Sequence, residues 1–273
     1  MTKKWIPLTC CICLLAACTG NSKEGDQDAG GAMAVTPQLS YTLVSIYPHD
    51  TSAYTEGLLI NEGKLYESTG YTDELPQTRS LFDVVNLKTG RIEPKVQLDT
   101  SKYFGEGIAF LHDQWYQLTY RTKIGFVYAA NTFKQVKTFV LPVKEGWGMT
   151  TDSTLLIMSE GTNIITYVDP FKLTAVRKIS VEDETGPVLN INELEYIRGF
   201  IYANIYGTSF IIKINPANGK VMGKIDFTLL KSQQRNAFAG AKEMNGIAYN
   251  PLTGKIFVTG KMWPNLFEIE LNQ

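Results

Sequence analysis

A pattern of two short apolar strands joined by a polar turn occurs five times in the sequence, and it restricts the fold more than any other feature. The five copies begin at Glu56, Glu106, Trp147, Glu193 and Asn245. Their starts are about 41 to 52 residues apart, the period typical of a four-stranded β-propeller blade. Helical periodicity is almost absent. The sequence therefore predicts an all-β fold, a five-bladed β-propeller.

The ends of the chain indicate how the predicted ring closes. Fourth strands follow the first four copies, at residues 91–98, 135–141, 175–181 and 221–227. The fifth copy ends after its third strand, and residues 39–47 form an unused strand near the N-terminus. Pairing this N-terminal strand with residues 266–271 would complete the last blade and cover two open sheet edges. A β-sandwich with coincidental spacing is the alternative.

The first residues are typical of a bacterial lipoprotein leader. Lys3 and Lys4 precede an apolar stretch that is too short to span a bilayer as a mature helix. The stretch ends in Leu15-Ala16-Ala17-Cys18, which resembles a lipobox. We predict that residues 1–17 are a signal peptide and that Cys18 carries the lipid. An ordinary secretory signal with an incidental Cys is the alternative.

The segment after Cys18 sets the remaining boundaries. Residues 18–37 are rich in Gly, Ser, Asp and Ala and predict a flexible tether, so the propeller would occupy residues 38–273. A lipid anchor would attach an exported protein to the cell envelope, on the periplasmic side or at the cell surface. Thr19 after the Cys favours the outer membrane.

Composition excludes several kinds of chemistry. The net charge is −1 and the basic residues form no block, so no nucleic-acid partner is expected. Three of the four Cys lie in the predicted leader and the fourth is Cys18, which leaves no thiolate nucleophile and no Cys-ligated zinc. With only His49 and His112, a multi-His metal site is excluded. We expect a monomer without a cofactor or a metal, whose chemistry uses carboxylates, amides, lysine and aromatic rings.

The innermost strands of a propeller converge on a central channel, so the starts of the five copies are candidate pocket residues. Polar residues in the second strands and in the segment after the last of them extend the set: Glu67, Gln117, Asn204, Lys261 and Trp263. Convergent acids, amides, a lysine and indoles are typical of a site for a small molecule or a peptide end.

Five of the candidates also have a purely structural interpretation. Glu106 and Glu193 could serve only to bind backbone amides, and Glu67 could serve only in structural hydrogen bonds. Trp147 could fill the space between blades, and Lys261 could be a solvated turn residue.

Eight short strings, at least one in every repeat, resemble the plant-type glutaminyl-peptide cyclotransferases. The resemblance runs from about residue 41 to the C-terminus. The strings are Ala53-Tyr54-Thr55-Glu56-Gly57-Leu58, Leu65-Tyr66-Glu67-Ser68-Thr69-Gly70, Phe104-Gly105-Glu106-Gly107, Glu145-Gly146-Trp147-Gly148, Asn192-Glu193-Leu194-Glu195-Tyr196-Ile197, Tyr202-Ala203-Asn204, Asn245-Gly246-Ile247-Ala248 and Val258-Thr259-Gly260-Lys261-Met262-Trp263-Pro264.

The resemblance implies a five-bladed propeller that converts N-terminal Gln of peptides or proteins to pyroglutamate and releases ammonia, without redox cofactor or catalytic zinc. It implies that Glu67 transfers the proton. The residues expected to bind substrate are Glu56, Gln117, Trp147, Asn204, Asn245, Lys261 and Trp263. Proton transfer by Glu56 or Glu106, with Glu67 only bracing a strand, is the competing assignment.

The chain departs from the family pattern at several positions. Glu56 replaces the usual Gln, Tyr120 the usual Trp and Glu160 the usual Asp. Residues 71–80 form a longer segment than usual, and Asp83 falls near a position where a basic residue is expected. These departures affect the pocket rim and therefore the substrate preference.

Two other functions remain open from the sequence. A non-catalytic propeller could bind peptide or glycan ends. A metal-dependent, lactonase-like hydrolase could hold calcium between Glu56, Glu106, Glu193 and Asn245.

Overall fold

The computed structural model describes residues 1, 2, 5 and 35–272. The predicted lipidation at Cys18 and the predicted tether up to residue 34 lie outside the described residues. Among those that are described, no helix is long and apolar enough to cross a bilayer.

In the part of the chain that the structure describes, five blades of four antiparallel strands each form, and one of them gains a fifth, parallel strand, which confirms the predicted five-bladed propeller. Two strands, β1 (Gln38–Leu39) and β2 (Tyr41–Pro48), precede the first blade. Blade 1 contains β3 (Thr55–Asn61), β4 (Lys64–Thr69), β5 (Leu81–Val85) and β6 (Ile92–Gln97). Blade 2 contains β7 (Gly105–Leu111), β8 (Gln114–Thr119), β9 (Ile124–Ala129) and β10 (Gln135–Val140). Blade 3 contains β11 (Met149–Thr151), β12 (Leu156–Ser159), β13 (Ile164–Val168) and β14 (Ala175–Ser180).

The second half of the chain adds two connecting elements. A short hairpin, β15 (Glu182–Asp183) and β16 (Gly186–Pro187), precedes blade 4. Blade 4 contains β17 (Ile191–Ile197), β18 (Phe200–Ile205), β19 (Phe210–Ile214) and β20 (Val221–Asp226). The helix α1 (Thr228–Ala237) leads to blade 5, which contains β21 (Met244–Asn250), β22 (Lys255–Gly260) and β23 (Asn265–Leu271).

The N-terminal strands attach to two neighbouring blades. Strand β2 pairs antiparallel with β23 and is the outermost strand of blade 5. Strand β1 pairs parallel with β20 and adds a fifth strand to blade 4. The segment predicted as one strand is therefore two strands, because the chain crosses from one blade to the next near Ser40.

Within residues 35–272, buried apolar side chains form five clusters, and each cluster joins two neighbouring blades. The cluster between blades 5 and 1 includes Phe257 and Leu266 from one side and Leu58 and Leu65 from the other. The hydrophobic effect therefore acts between blades all the way around the channel.

Helix α1, like the hairpin of β15 and β16, is an element that the sequence did not predict. Only Leu230 and Gln234 are buried in it, so it lacks the wide apolar stripe from which helices are recognised. The Asp226 carboxylate accepts a hydrogen bond from the Thr228 backbone N–H at the start of the helix, 2.8 Å away.

Candidate active site

A cavity of about 350 Å³ opens at one end of the channel, where the inner strands begin. It combines acids, a lysine, an amide and several aromatic rings. The lining residues are Tyr54, Glu56, Thr72, Phe104, Glu106, Tyr120, Arg121, Trp147, Asn192, Tyr206 and Lys261.

β-Bulges interrupt four of the five inner strands at the level of the cavity. The register shifts lie between Thr55 and Gly57, Gly105 and Ile108, Ile191 and Leu194, and Met244 and Ile247. A bulge breaks the regular alternation of side chains and re-aims them. The first three shifts include the cavity residues Glu56, Glu106 and Asn192.

In four of the five repeats a glycine follows the first residue, and these glycines allow the inner strands to approach one another. A Cβ on Gly107 would lie 2.4 Å from the backbone nitrogen of Met149, and a Cβ on Gly148 would lie 2.2 Å from the backbone oxygen of Asn192. Both contacts are too short for any side chain at these positions, so the repeated glycines hold the cavity residues of neighbouring blades close together.

Glu56 and Lys261 form a buried ion pair in the cavity wall, with 2.6 Å between Oε1 and Nζ. Burial raises the pKa of Glu56 to about 7, although the ammonium group acts in the opposite direction. Burial lowers the pKa of Lys261, but the neighbouring Glu56, Tyr54 and Glu106 outweigh it, and the pKa is raised overall. Lys261 is therefore charged across the neutral range.

Glu106 is the second carboxyl group of the cavity, and its surroundings differ from those of Glu56. Among the described residues, none donates a hydrogen bond to it, although only 6 % of the residue is exposed. Burial, and then the negative charge of Glu56, raise its pKa well above the ordinary value, while Lys261 acts in the opposite direction. Its side chain is therefore free to exchange a proton with a molecule in the cavity.

Aromatic rings surround these charges. The Lys261 ammonium lies 4.6 Å from the centroid of Tyr54 and 5.5 Å from that of Tyr206, within the range of cation–π attraction. Trp147 packs edge-on against Tyr206, and its indole N–H donates to the Glu145 carboxylate at 3.2 Å. The Asn192 side chain is 3 % exposed and adds an amide to the cavity lining.

The structure places Glu67, the residue predicted to transfer the proton, outside the cavity lining. Glu67 is fully buried on β4. Its carboxylate accepts a hydrogen bond from the Thr55 hydroxyl at 2.6 Å and lies 3.1 Å from His49 Nε2. The other ring nitrogen of His49 lies 2.8 Å from the Trp263 carbonyl oxygen. Glu67 thus links the segment before Glu56 to the loop that carries Lys261.

Four other predicted binding residues are also absent from the cavity lining. Gln117 donates to the Ser68 hydroxyl at 2.9 Å and accepts from the Tyr128 hydroxyl at 2.9 Å. Asn204 accepts from the Gly246 backbone N–H at 3.0 Å. The remaining two support cavity residues: Asn245 donates to Glu56 Oε2 at 3.2 Å, and Trp263 is fully buried with its indole N–H bonded to the Lys242 carbonyl oxygen.

Of the predicted binding residues, Glu56, Trp147 and Lys261 do lie together in the cavity. Sequence reasoning missed Asn192 because it precedes the repeat start, Glu193, and neighbouring residues in a strand normally face opposite sides. One signal could have identified Asn192: it directly precedes Glu193, the first residue of the fourth repeat. The other aromatic lining residues also have regular places: Tyr54 and Phe104 each stand two residues before a repeat start, and Tyr120 and Tyr206 each directly follow the second strand of a blade.

The donors needed for a calcium site do not converge. Glu193 accepts backbone N–H bonds from Ile247 at 2.8 Å and from Leu58 at 3.3 Å, and Glu56 already pairs with the Lys261 ammonium. In the part of the chain that the structure describes, no three His, Cys, Asp or Glu side chains are grouped so that they could hold a metal ion.

The fold and the cavity together define a class of propeller enzyme whose site offers acid–base groups and hydrogen-bond donors. A sequence model of the glutamine cyclotransferase family matches residues 10–271. The chain belongs to this family.

Two relatives agree with that assignment. A glutaminyl-peptide cyclotransferase of Arabidopsis thaliana is 34 % identical over 254 residues, which cover 90 % of this chain and 76 % of the relative. The crystal structure of Myxococcus xanthus glutaminyl cyclase is similar with a TM-score of 0.75 at 32 % identity, covering 88 % of this chain and 99 % of that one.

Proposed function

We propose that this protein cyclises the N-terminal glutamine of peptides or proteins to pyroglutamate and releases ammonia. The observation that carries the proposal is the Glu106 carboxyl group, which is buried, accepts no hydrogen bond from any described residue and lines the cavity beside the Glu56–Lys261 pair. Membership of the glutamine cyclotransferase family supports the same reaction.

The reaction needs one proton acceptor and one proton donor. The α-amine of the substrate attacks its own γ-carbonyl carbon, so that a C–N bond forms and a five-membered lactam results. The bond from this carbon to the side-chain nitrogen then breaks, and that nitrogen leaves as ammonia. The attacking amine must lose a proton and the leaving nitrogen must gain one, so a single carboxylate can serve both steps.

Glu106 fits this double task better than the other two candidate carboxylates. Burial raises its pKa, so this carboxyl group takes up a proton more readily than an ordinary carboxylate does, as a group that must both accept and return a proton requires. Glu56 is held by Lys261, and Glu67 is enclosed by Thr55 and His49. We therefore assign proton transfer to Glu106 in place of Glu67.

Lys261 and Asn192 can stabilise the oxyanion that develops on the γ-carbonyl oxygen. A lysine ammonium has three N–H donors, and the Glu56 contact uses one of them. Asn192 lines the same cavity with its amide. Donors fixed in a cavity with little water stabilise a developing charge more strongly than donors in solution do.

The aromatic rings select the conformation that reacts. Because the attack is intramolecular, the protein has to hold the glutamine side chain folded back towards the α-amine. Trp147, Tyr54 and Tyr206 surround the cavity and can pack on the methylene groups of the folded-back side chain.

The activity is tested with purified protein and a short peptide that begins with Gln. We expect equal amounts of ammonia and pyroglutamyl peptide. Matched peptides that begin with Asn or with N-acetylated Gln should give neither product, because the first would need a four-membered ring and the second lacks a nucleophilic amine. Activity that disappears with chelator would support the metal-dependent alternative, and binding without any product would support the non-catalytic one.

We also propose that the protein is an exported, monomeric lipoprotein anchored to the envelope membrane through Cys18. The support is the sequence, in which an apolar stretch ends in Leu15-Ala16-Ala17-Cys18. The substitution Cys18→Ser should move the protein out of the membrane fraction or block its maturation. A wild-type protein that fractionates as soluble with an unmodified N-terminus would contradict the anchor.

A further inference from the structure

The cavity has a buried floor and an exposed mouth. Glu106 and Lys261 are only 6 % and 4 % exposed. Tyr120 and Tyr206 are 43 % and 41 % exposed, and Arg121 is also exposed. A glutamine whose reacting atoms lie at the floor must send the rest of its peptide chain out through this mouth.

Arg121 is the charged residue among these three exposed lining residues. Its guanidinium carbon lies 5.8 Å from the centroid of Phe104, which also lines the cavity. Its Nη2 donates to the Tyr71 carbonyl oxygen at 3.5 Å. These two contacts place the cation between the second blade and the segment at residues 71–80.

The Arg121 cation has no carboxylate partner in the described part of the chain. The ion pairs found there join other residues, and none of them includes Arg121. A guanidinium group presents several N–H donors in a plane that matches the two oxygens of a carboxylate. The mouth therefore offers a carboxylate an unused partner of opposite charge.

We propose that Arg121 forms a subsite for a carboxylate of the substrate beyond its N-terminal glutamine, so that the protein prefers acidic peptides. The inference rests on the proposed cyclisation and adds the substrate class. Two sources can supply the carboxylate: an acidic side chain in the second position, or the free C-terminus of a dipeptide.

Four peptides distinguish these sources: Gln-Glu-amide, Gln-Lys-amide, Gln-Ala-amide and Gln-Ala with a free C-terminus. The wild-type protein should cyclise Gln-Glu-amide with a kcat/KM about two- to fivefold above that of Gln-Ala-amide, the size expected for an exposed ion pair. Gln-Lys-amide should be the poorest substrate. A similar gain for the free acid over Gln-Ala-amide would show that the C-terminus also binds. The preference should shrink at high salt, because salt screens exposed charges.

The substitutions Arg121→Gln and Lys123→Gln form a matched pair. Lys123 is exposed, lies two residues away and is absent from the cavity lining, so its loss changes the net charge equally. The preference should vanish in Arg121→Gln and persist in Lys123→Gln, and the activity of Lys123→Gln on Gln-Ala-amide should stay near wild type. In Arg121→Glu the preference should change to Gln-Lys-amide.

Equal activity of the wild type on the three amides would overturn the subsite and leave the cyclisation standing. Loss of the preference in both Gln variants would also overturn it, because the net charge would then be the cause. If no peptide is cyclised, the proposed function fails instead. Calorimetric binding of the same amides to Glu106→Gln then tests the subsite without turnover, and equal affinities there would contradict it.

Discussion

At the scale of single residues, Glu67 and Glu106 show how the surroundings of a buried carboxylate decide its role. The two residues lie in neighbouring blades. Glu67 is enclosed by His49 and Thr55, which satisfy its oxygens. Glu106 has no such partners among the residues that the structure describes, and it lines the cavity. An unpaired buried carboxyl destabilises a fold, and functional sites are where such a cost is usually found. This contrast is the physical reason for placing proton transfer at Glu106.

The substitution Glu56→Gln tests the electrostatics of the cavity. The negative charge of Glu56 raises the pKa of Glu106, so its removal should lower that pKa and leave Lys261 free to lower it further. If ionised Glu106 is the proton acceptor, the acidic fall in kcat/KM should move to lower pH, with activity at its optimum within about tenfold of wild type. An unchanged pH profile would contradict this coupling.

The substitution His49→Gln tests the buried pair behind the cavity. Burial acts to lower the pKa of His49, but the charge of Glu67 and its contact with the ring outweigh it, and the pKa is raised. Because the pKa of His49 is higher in the folded state than in the unfolded state, protonation of the ring stabilises the fold. This contribution is fully present below about pH 6.5, the unfolded pKa, and is lost as the pH rises through the pKa of the folded state. The difference in Tm between wild type and His49→Gln should therefore be largest below pH 6.5 and shrink above it. A difference that grows with pH would contradict the assignment.

At the scale of strands, the sequence repeat predicted which strands form, but it did not predict the directions of their side chains. The alternation of apolar and turn residues was sufficient to place the strands of the blades, because each strand packs against its neighbours in the same way. The bulges at Glu56, Glu106 and Asn192 follow no simple residue pattern, since they arise from pairing between strands. For this reason the sequence missed Asn192.

Two truncations test the contribution of the N-terminal strands. A chain that begins at Gln38 keeps β1 and β2 and should unfold as the longer chain does. A chain that begins at His49 lacks the seven paired positions of β2 and the stacking of Tyr41 on Phe227, whose rings lie 4.6 Å apart. We expect it to lose several kcal/mol of the about 5–15 kcal/mol typical of a domain. Equal denaturation midpoints would contradict a stabilising role for these strands.

At the scale of the whole molecule, the ring explains why residues far apart in sequence form one site. The cavity collects side chains from all five blades, including Glu56 of blade 1 and Lys261, which follows the second strand of blade 5. The ring itself could be predicted from the five repeats. The depth of each side chain in the channel could not be predicted from the sequence, because it depends on how closely the inner strands approach one another, as they do at Gly107 and Gly148.

The kinetics and stability of two Gln variants test the central claim most directly. Glu106→Gln removes a buried, unpaired carboxyl, so it should fold with an equal or higher Tm while kcat on a Gln peptide falls by about 10² or more. Glu67→Gln weakens the contact with His49, so it should lower the Tm and keep kcat within about tenfold of wild type. An active Glu106→Gln variant, or a fully folded but inactive Glu67→Gln variant, would contradict the assignment of proton transfer to Glu106.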